Sequence, residues 1–301
     1  MADAYLTSAD IVKLNRVDLD IVIRNVLEAT PFLNVAAARP VASDNFKYPR
    51  VSGLPTVGYR AVNDGVENVK STFEQINVDL KYLDASFAVD IAAAKVDERG
   101  VDHLMALEAI NHLRAAMRVV ESNIFNTTSG GFTALPALST LSSLGDHCIS
   151  AGGATASSQT SVYAIKMGAD AYEVLWGEGG EISISPRMMV ERAGSVSGRF
   201  WSYAHEISSY CAHKIGSDYA VHRLANVQTT LDDDDIAALL NTFPVGFDCD
   251  VLVMNRKAAK LLRESRTATN PTGQPAPWVE SAFGKPVIVV DTIGNTEAVV
   301  A

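Results

Sequence analysis

The sequence predicts an α+β fold built around one long helix, with an extended β-hairpin before it and an α/β segment at the C-terminus. Val101–Phe125 repeats apolar residues at spacings of three and four, which is the helical period. Residues 73–82 alternate apolar and polar side chains, which is the strand period. Residues 232–291 place helical patterns between apolar runs that are typical of buried strands.

The long helix is the most clearly defined element. At 1.5 Å per residue, Val101–Phe125 would span about 36 Å, and such a helix must lie lengthwise on a large surface. We expect an apolar stripe to face the core and a charged set to face outward. The stripe comprises Leu104, Leu107, Ile110, Leu113, Met117, Val120 and Ile124, and the charged set comprises Glu108, Arg114, Arg118 and Glu121.

A long two-stranded hairpin is predicted between residues 45 and 91. Ile76, Val78, Leu80 and Tyr82 alternate with polar residues, so they should share one face of a strand. Asn63-Asp-Gly65 is a turn sequence that can lie between two such strands. Because an isolated hairpin is only marginally stable, we expect this one to lie on a neighbouring element or molecule.

The two ends of the chain differ in character. Met1 to about Arg39 is amphipathic with helical spacing, and it has no obvious partner within its own length. Near the C-terminus, the acidic run Asp232–Asp235 precedes a predicted helix at Ile236–Phe243. The run lacks the alternation and central glycine of a calcium loop, whereas carboxylates are favourable at a helix start. We therefore interpret it as a helix cap.

The composition indicates a soluble globular protein without an electrostatic nucleic-acid clamp. The chain has 301 residues, 48% of them hydrophobic and 20% charged, and a formal net charge of −10. A phosphate-binding surface needs a basic face, which this balance disfavours. No signal peptide and no membrane-length apolar run is apparent, so we expect an intracellular product. Three widely separated cysteines do not predict a disulfide framework.

No catalytic, cofactor-binding or metal site is predicted. The sequence contains no phosphate loop, no dinucleotide fingerprint and no Gly-x-Ser-x-Gly elbow. Cys211 and His213 could supply two ligands from one face of a strand, but zinc needs three or four, and no second pair lies nearby. On chemistry alone, the sequence is that of a protein without a visible active site, and we expect that it is not an enzyme.

In order and character, the elements resemble the major capsid protein of tailed bacteriophages, the Hong Kong 97-type fold that encapsulins also share. The resemblance covers nearly the whole chain but depends on element order more than on a sharp motif. A Gly-Leu-like pair of the family is replaced here by Ala134-Leu135. The matching segments are Val41–Ala85 (the family's E-loop), Val101–Phe125 (the spine helix), Asn126–Leu135 (its exit turn), and Met254–Leu262 and Phe283–Ile288 (axial-domain elements).

The resemblance implies four regions. These are an N-terminal arm (1–40), an E-loop hairpin (41–85), a peripheral domain with the spine helix (86–130 and about 195–230) and an axial domain (about 131–194 and 231–301). In the reference order, the axial segments directly follow the spine helix, whereas here the strands of residues 161–227 intervene. We therefore expect a rearranged connectivity in these sheets.

The function implied by the resemblance is structural. The chain would self-assemble into hexamers and pentamers of an icosahedral shell that encloses double-stranded DNA without specific binding. A separate scaffolding protein, which we expect because no pro-segment is apparent, and a portal would be partners, with a decoration protein optional. No cofactor and no membrane is involved, and the protein would reside in the virion after assembly in the host cytoplasm. The expected intersubunit contacts are Asp64, Glu67, Lys70, Phe73, Arg114 and Arg118.

Three other functions remain open at this stage. An encapsulin-like shell that encloses cargo enzymes would have the same architecture, so the hairpin does not separate it from a viral capsid. An enzyme whose site is assembled from scattered residues and a plain oligomeric binding domain are the others. Particles or capsomers in solution would support the two shell functions, whereas a stable monomer would exclude both.

Overall fold

The computed structural model describes residues 30–65, 69–94, 101–126, 138, 147–193, 199–270 and 274–300. Most of the predicted N-terminal arm and most of the helix exit Asn126–Leu135 lie outside these ranges. The helices are α1 (Ile91–Ala94), α2 (Val101–Phe125), α3 (Asp233–Asn241) and α4 (Arg256–Ala268). The strands are β1 (Ala38–Pro40), β2 (Asn45–Gly53), β3 (Thr72–Asp79), β4 (Lys81–Asp84), β5 (Phe87–Asp90), β6 (Cys148–Ser150), β7 (Thr160–Ile165), β8 (Tyr172–Trp176), β9 (Ser183–Ile184), β10 (Met188–Ala193), β11 (Arg199–His205), β12 (Ile207–Ile215), β13 (Val221–Val227), β14 (Val251–Met254), β15 (Ser281–Ala282) and β16 (Lys285–Val289).

The helix α2 has the predicted bounds, and the predicted stripe is buried from Leu113 to Ile124 but departs from the buried face in the first half of the helix. Leu107 is 46% exposed, whereas Met105 and Ala109 are buried. Each residue advances about 100° around a helix, so a step of three residues falls about 60° short of a full turn. A stripe built from repeated steps of three therefore rotates away from the face that is buried. The predicted outward position of Glu121 is also wrong, because this side chain is 1% exposed.

The helix α2 packs on two different clusters along its length. The part from Met105 to Met117 packs against Phe87 and Ile207 of the sheets. The second half of the helix joins the main core, where the Phe125 ring lies 4.9 Å from Phe32 and 5.4 Å from Tyr163. The helix therefore connects the sheets that contain β5 and β12 to the C-terminal sheet.

The strands of the described ranges form four sheets. A five-stranded sheet has the order β1-β8-β12-β4 with β9 paired to β12, and a three-stranded sheet has the order β10-β11-β5. A six-stranded sheet has the order β15-β16-β14-β7-β13-β6, and β2 pairs with β3 alone. Residues 195–230, which the resemblance assigned to the peripheral domain, thus contribute strands to three of these sheets.

The C-terminal α/β segment follows the sequence pattern closely. Asp232 caps α3 by accepting a hydrogen bond from the Asp235 backbone N–H, and the Asp235 side chain bonds back to the Asp232 N–H. The acidic run is therefore a capping box, as the sequence indicated. The strands β14 and β16 are parallel neighbours, with α3 and α4 covering one face of their sheet.

Candidate assembly interface

The hairpin β2–β3 is divided into a proximal half that packs on the body and a distal half that does not. The strands pair antiparallel from Asn45↔Asp79 to Gly53↔Thr72, with an irregularity between Val51 and Gly53. In the proximal half, Phe46, Tyr48 and Ile76 contact the main core. Val78, on the same face, is 3% exposed. The predicted strand face is confirmed for Ile76 and Val78.

The apolar face predicted for residues 76 to 82 ends at the point where the chain leaves the hairpin. Leu80 lies between β3 and β4 and is still buried, but Tyr82 is 49% exposed. At this point β4 begins to pair with β12, placing Tyr82 opposite Tyr210. The change of partner reorients the strand, so the alternation does not continue through Tyr82.

A partly buried charge cluster holds the hairpin base. The Lys214 Nζ donates to the Glu173 carboxylate at 3.2 Å, and the Lys214 side chain is only 4% exposed. The Arg39 guanidinium reaches the same carboxylate oxygen at 3.5 Å. Both cations also face hairpin rings, with Lys214 Nζ 5.0 Å from the Tyr48 centroid and the Arg39 guanidinium 5.2 Å from the Phe46 centroid.

Two further bonds fix the direction of the proximal half. The Tyr48 hydroxyl donates to the Ile215 carbonyl at 2.8 Å, and burial raises the pKa of this phenol. The Arg50 guanidinium bridges Glu74 on the partner strand and Asp218 on the body. The hairpin base is therefore held by hydrogen bonds, ion pairs and ring contacts to the sheet that contains β12.

The distal half exposes a row of apolar side chains that the sequence analysis did not single out. Leu54 and Val57 are each 85% exposed, Val62 is 91% exposed, and Tyr59 is fully exposed. The sequence did contain a signal for this exposed row. Its apolar residues lie in a loop interrupted by proline and glycine, and no complementary segment lies nearby. Within the described part of the chain these side chains bury little surface, so they are free to contact another molecule.

The predicted turn lies inside this loop. Asn63 has a positive φ of 70°, and the Asp64 N–H donates to the Ala61 carbonyl at 3.2 Å. The Arg60 guanidinium also donates to the Asp64 carbonyl at 2.9 Å. The turn is therefore present, but it lies in a long loop rather than joining the strands directly.

The predicted contact residues fall into two groups. Asp64 and Lys70 are exposed in the loop, and Phe73 is 69% exposed at the start of β3. Glu67 lies outside the described residues. The second group, Arg114 and Arg118, is exposed on α2. Among the described residues, no hydrogen bond or ion pair joins the two groups within one chain.

Arg118 borders a cleft of about 550 Å³ between α2 and the C-terminal segment. Trp278 and Arg256 also line it, and the Arg256 guanidinium pairs with Asp291 at 3.0 Å. Glu121 lies at its base, where burial raises the pKa of the carboxyl and a hydrogen bond from Thr292 opposes that shift. The cleft contains paired charges rather than a nucleophile with an adjacent base.

The described residues contain no group of three His, Cys, Asp or Glu side chains that could hold a metal ion. The pair Cys211 and His213 is buried in β12, and burial raises the pKa of the thiol to about 12 and lowers that of the imidazole to about 4.

None of the helices in the described ranges is long and apolar enough to cross a membrane.

Comparisons with known proteins agree with this architecture. A chain in the solved structure of bacteriophage Epsilon15 is similar with a TM-score of 0.69 and 19% identity, covering 89% of this chain and 88% of that one. A chain of the bacteriophage JBD30 capsid has a TM-score of 0.52 and 11% identity, covering 87% of this chain and 90% of that one. No curated protein sequence matches the chain.

A weaker structural match is to an encapsulin from Synechococcus elongatus. It has a TM-score of 0.46 and 10% identity, covering 66% of this chain and 88% of its own. The family model described as major capsid protein GP7 matches residues 48–301, which is most of the chain. The chain therefore belongs to the GP7 family of major capsid proteins, has the Hong Kong 97-type capsid fold, and is a structural protein of the phage shell rather than an enzyme.

Proposed function

We propose that copies of this chain form hexamers and pentamers of an icosahedral shell, in which the distal hairpin of one copy lies on a neighbouring copy. The observation that carries this proposal is the row of exposed apolar side chains from Leu54 to Val62, on a hairpin whose base is held rigidly to its own chain. The fixed base sets the direction of the loop, while among the described residues of its own chain little covers the apolar surface of the loop.

The charged residues contribute to the register of this contact. Asp64, Lys70, Arg114 and Arg118 are exposed on two separate surfaces, and in a closed lattice such surfaces of neighbouring copies come together repeatedly. Exposed ion pairs add little affinity, but they favour one orientation over others. Together with Phe73 and Glu67, these residues form the proposed intersubunit contact.

The proposal also includes the four regions that the resemblance implies. Residues 41–85 form the E-loop, residues 1–40 an arm, and the remaining two regions a peripheral and an axial domain with rearranged connectivity. A separate scaffolding protein and a portal complete the assembly in the host cytoplasm, with a decoration protein optional. The shell encloses double-stranded DNA without specific binding, which suits a subunit of net charge −10.

The test is a triple substitution in the loop, Leu54→Ser with Val57→Ser and Tyr59→Ser. These side chains are at least 85% exposed, so the free energy of unfolding should change by less than about 1 kcal/mol. Assembly, measured by analytical ultracentrifugation and electron microscopy of purified protein, should fall sharply because the intersubunit contact loses its apolar surface.

Gln75→Ser provides the matched control, since Gln75 is exposed on the proximal half of the same hairpin. It should leave both stability and assembly unchanged. Particles from the triple variant in wild-type yield would contradict the role of the loop, and a wild-type protein that remains a monomer would contradict the shell function.

A further inference from the structure

The loop of the distal hairpin half contains the single Asp-Gly pair of the sequence. Asp64 precedes Gly65 there, and no Asn-Gly pair occurs in the chain. The amide nitrogen of a residue that follows aspartate can close a five-membered ring on the side-chain carbonyl carbon. Glycine permits this approach most readily because it has no Cβ. Since the pair is also common in ordinary turns, its surroundings decide whether it reacts.

The geometry of the turn brings the two reacting groups together. The Gly65 N–H donates to the Asp64 Oδ1 at 2.8 Å, so the nitrogen already touches the carboxyl group. Both residues are exposed, and a Cβ built on Gly65 would meet nothing within 4 Å. Ring closure needs a small rotation of the aspartate side chain, and little packing in the described part of the chain opposes it.

A cation lies on the peptide unit that would react. The Arg60 guanidinium donates to the Asp64 carbonyl at 2.9 Å, and this carbonyl shares its peptide bond with the Gly65 nitrogen. The peptide bond is delocalised, so when the nitrogen loses its proton the negative charge spreads onto that oxygen. A positively charged donor at the oxygen stabilises this charge. Arg60 therefore lies where it makes the nitrogen a better nucleophile.

We infer that Asp64-Gly65 is a self-modification site, at which the chain forms a succinimide and then isoaspartate, with Arg60 activating the attacking amide. The Gly65 nitrogen bonds to the Asp64 Cγ, and one carboxyl oxygen leaves as water with the amide proton and one proton from solvent. Water then opens the ring. Cleavage of the bond from nitrogen to Cγ restores aspartate, whereas cleavage of the bond to the main-chain carbonyl carbon gives isoaspartate.

The modification changes the hairpin loop itself. In isoaspartate the main chain runs through Cβ and Cγ, so it gains one methylene, and the carboxylate moves to the α-carbon. Asp64 belongs to the proposed intersubunit contact, so copies that stay unassembled would lose the geometry of this contact as they age. A neighbouring copy that covers the loop would slow the reaction. This consequence rests on the proposed function, whereas the modification itself does not.

The experiment follows isoaspartate at residue 64 in the full chain, kept at neutral pH below the concentration at which it assembles. Methylation by protein isoaspartyl methyltransferase, followed by peptide mapping, measures the rate. Arg60→Met should slow the reaction about fivefold, the factor expected for one lost hydrogen bond. Arg60→Lys retains a charged donor and should recover most of the wild-type rate. Gly65→Val should nearly abolish the reaction, because its branched Cβ crowds the nitrogen.

Unfolded protein provides the control for the role of the turn. In urea at a concentration that unfolds the chain, the hydrogen bond from Arg60 to the Asp64 carbonyl is lost. The wild type and R60M should then react at the same rate. A difference that persists in urea would show that Arg60 acts through the local sequence and not through the folded turn, and the inference would fall.

The other outcomes separate this inference from the proposed function. Absence of isoaspartate at residue 64 in the aged wild type, or equal rates for the folded wild type and R60M, would overturn the inference. If the free protein reacts as expected and assembled particles react equally fast, no neighbouring copy covers the loop. The proposed contact would then fail, while the modification site stands.

Discussion

Glu121 connects three parts of the chain through one buried carboxylate. Its Oε2 accepts from the backbone N–H groups of Phe32 at 3.1 Å and Leu33 at 3.4 Å, and its Oε1 accepts from the Thr292 hydroxyl at 3.1 Å. Helix α2 is thereby joined to the turn before β1 and to the segment after β16. A carboxyl group is retained in this site because buried backbone donors need an acceptor.

Glu121→Ala should lower the free energy of unfolding by about 2–3 kcal/mol, because it leaves buried N–H groups unpaired. Glu121→Gln should lose much less, since its amide oxygen can still accept from the backbone. Denaturant titration of both variants measures this difference. Glu108→Ala, a partly exposed glutamate on the same helix, is the control. Equal losses for Ala and Gln would contradict the acceptor role.

At the scale of the element, the hairpin depends on a contact that its own strands do not contain. The pairing of β2 with β3 is local, but the direction of the hairpin is set by Lys214 and Arg39 around Glu173. Lys214 lies in β12, far away in sequence. Alternation predicted that one face of β3 would be buried, but not which side chains would hold it.

Lys214→Met should destabilise the hairpin base, because removal of one partner of a buried ion pair costs about 3 kcal/mol or more. Hydrogen exchange should become faster in β2 and β3 while protection in β13 persists. Lys47→Met, the same change at an exposed position of β2, is the matched control. Unchanged exchange in β2 and β3 would show that the ion pair does not hold the hairpin.

At the scale of the whole molecule, two histidines should make the fold sensitive to acid. Burial lowers the pKa of His213 to about 4, and burial together with His147 lowers that of His222 to about 4. His213 lies in the five-stranded sheet and His222 in the six-stranded sheet. Both are neutral in the folded protein at pH 7, whereas an unfolded histidine takes up a proton near pH 6.5.

The free energy of unfolding should therefore be highest above pH 6.5 and fall as the pH drops towards 4. Between pH 7 and pH 5, the expected loss is about 2 kcal/mol per histidine. Glu121 acts in the opposite direction, because its pKa is raised and its carboxyl is more favourable when protonated. Urea titrations at several pH values measure the net slope.

His222→Leu should reduce this acid dependence, with His112→Gln on the half-exposed part of α2 as the control. The aromatic neighbours of His222, including Phe243 at 4.0 Å, can accept an apolar side chain of similar size. A pH slope as steep in His222→Leu as in the wild type would show that another group accounts for the acid sensitivity.

The sequence by itself determined the local elements of this protein. The bounds of α2, the capping box at Asp232 and the strand alternation at Ile76 and Val78 depend on side chains close in the chain. The order of these elements also supported the capsid resemblance, which the GP7 family match confirms. Local periodicity and capping act within a few residues, so they can be recognised without the fold.

Only the tertiary structure decided which face is buried in the first half of α2, where β4 leaves the hairpin and what holds the hairpin base. Glu121, Tyr82 and Lys214 each owe their environment to residues far away in the sequence. The positive φ of Phe283, 49°, also became visible only with the backbone, because it depends on how β15 turns into β16. Burial and register arise from the meeting of distant segments, and no periodicity within one segment encodes that meeting.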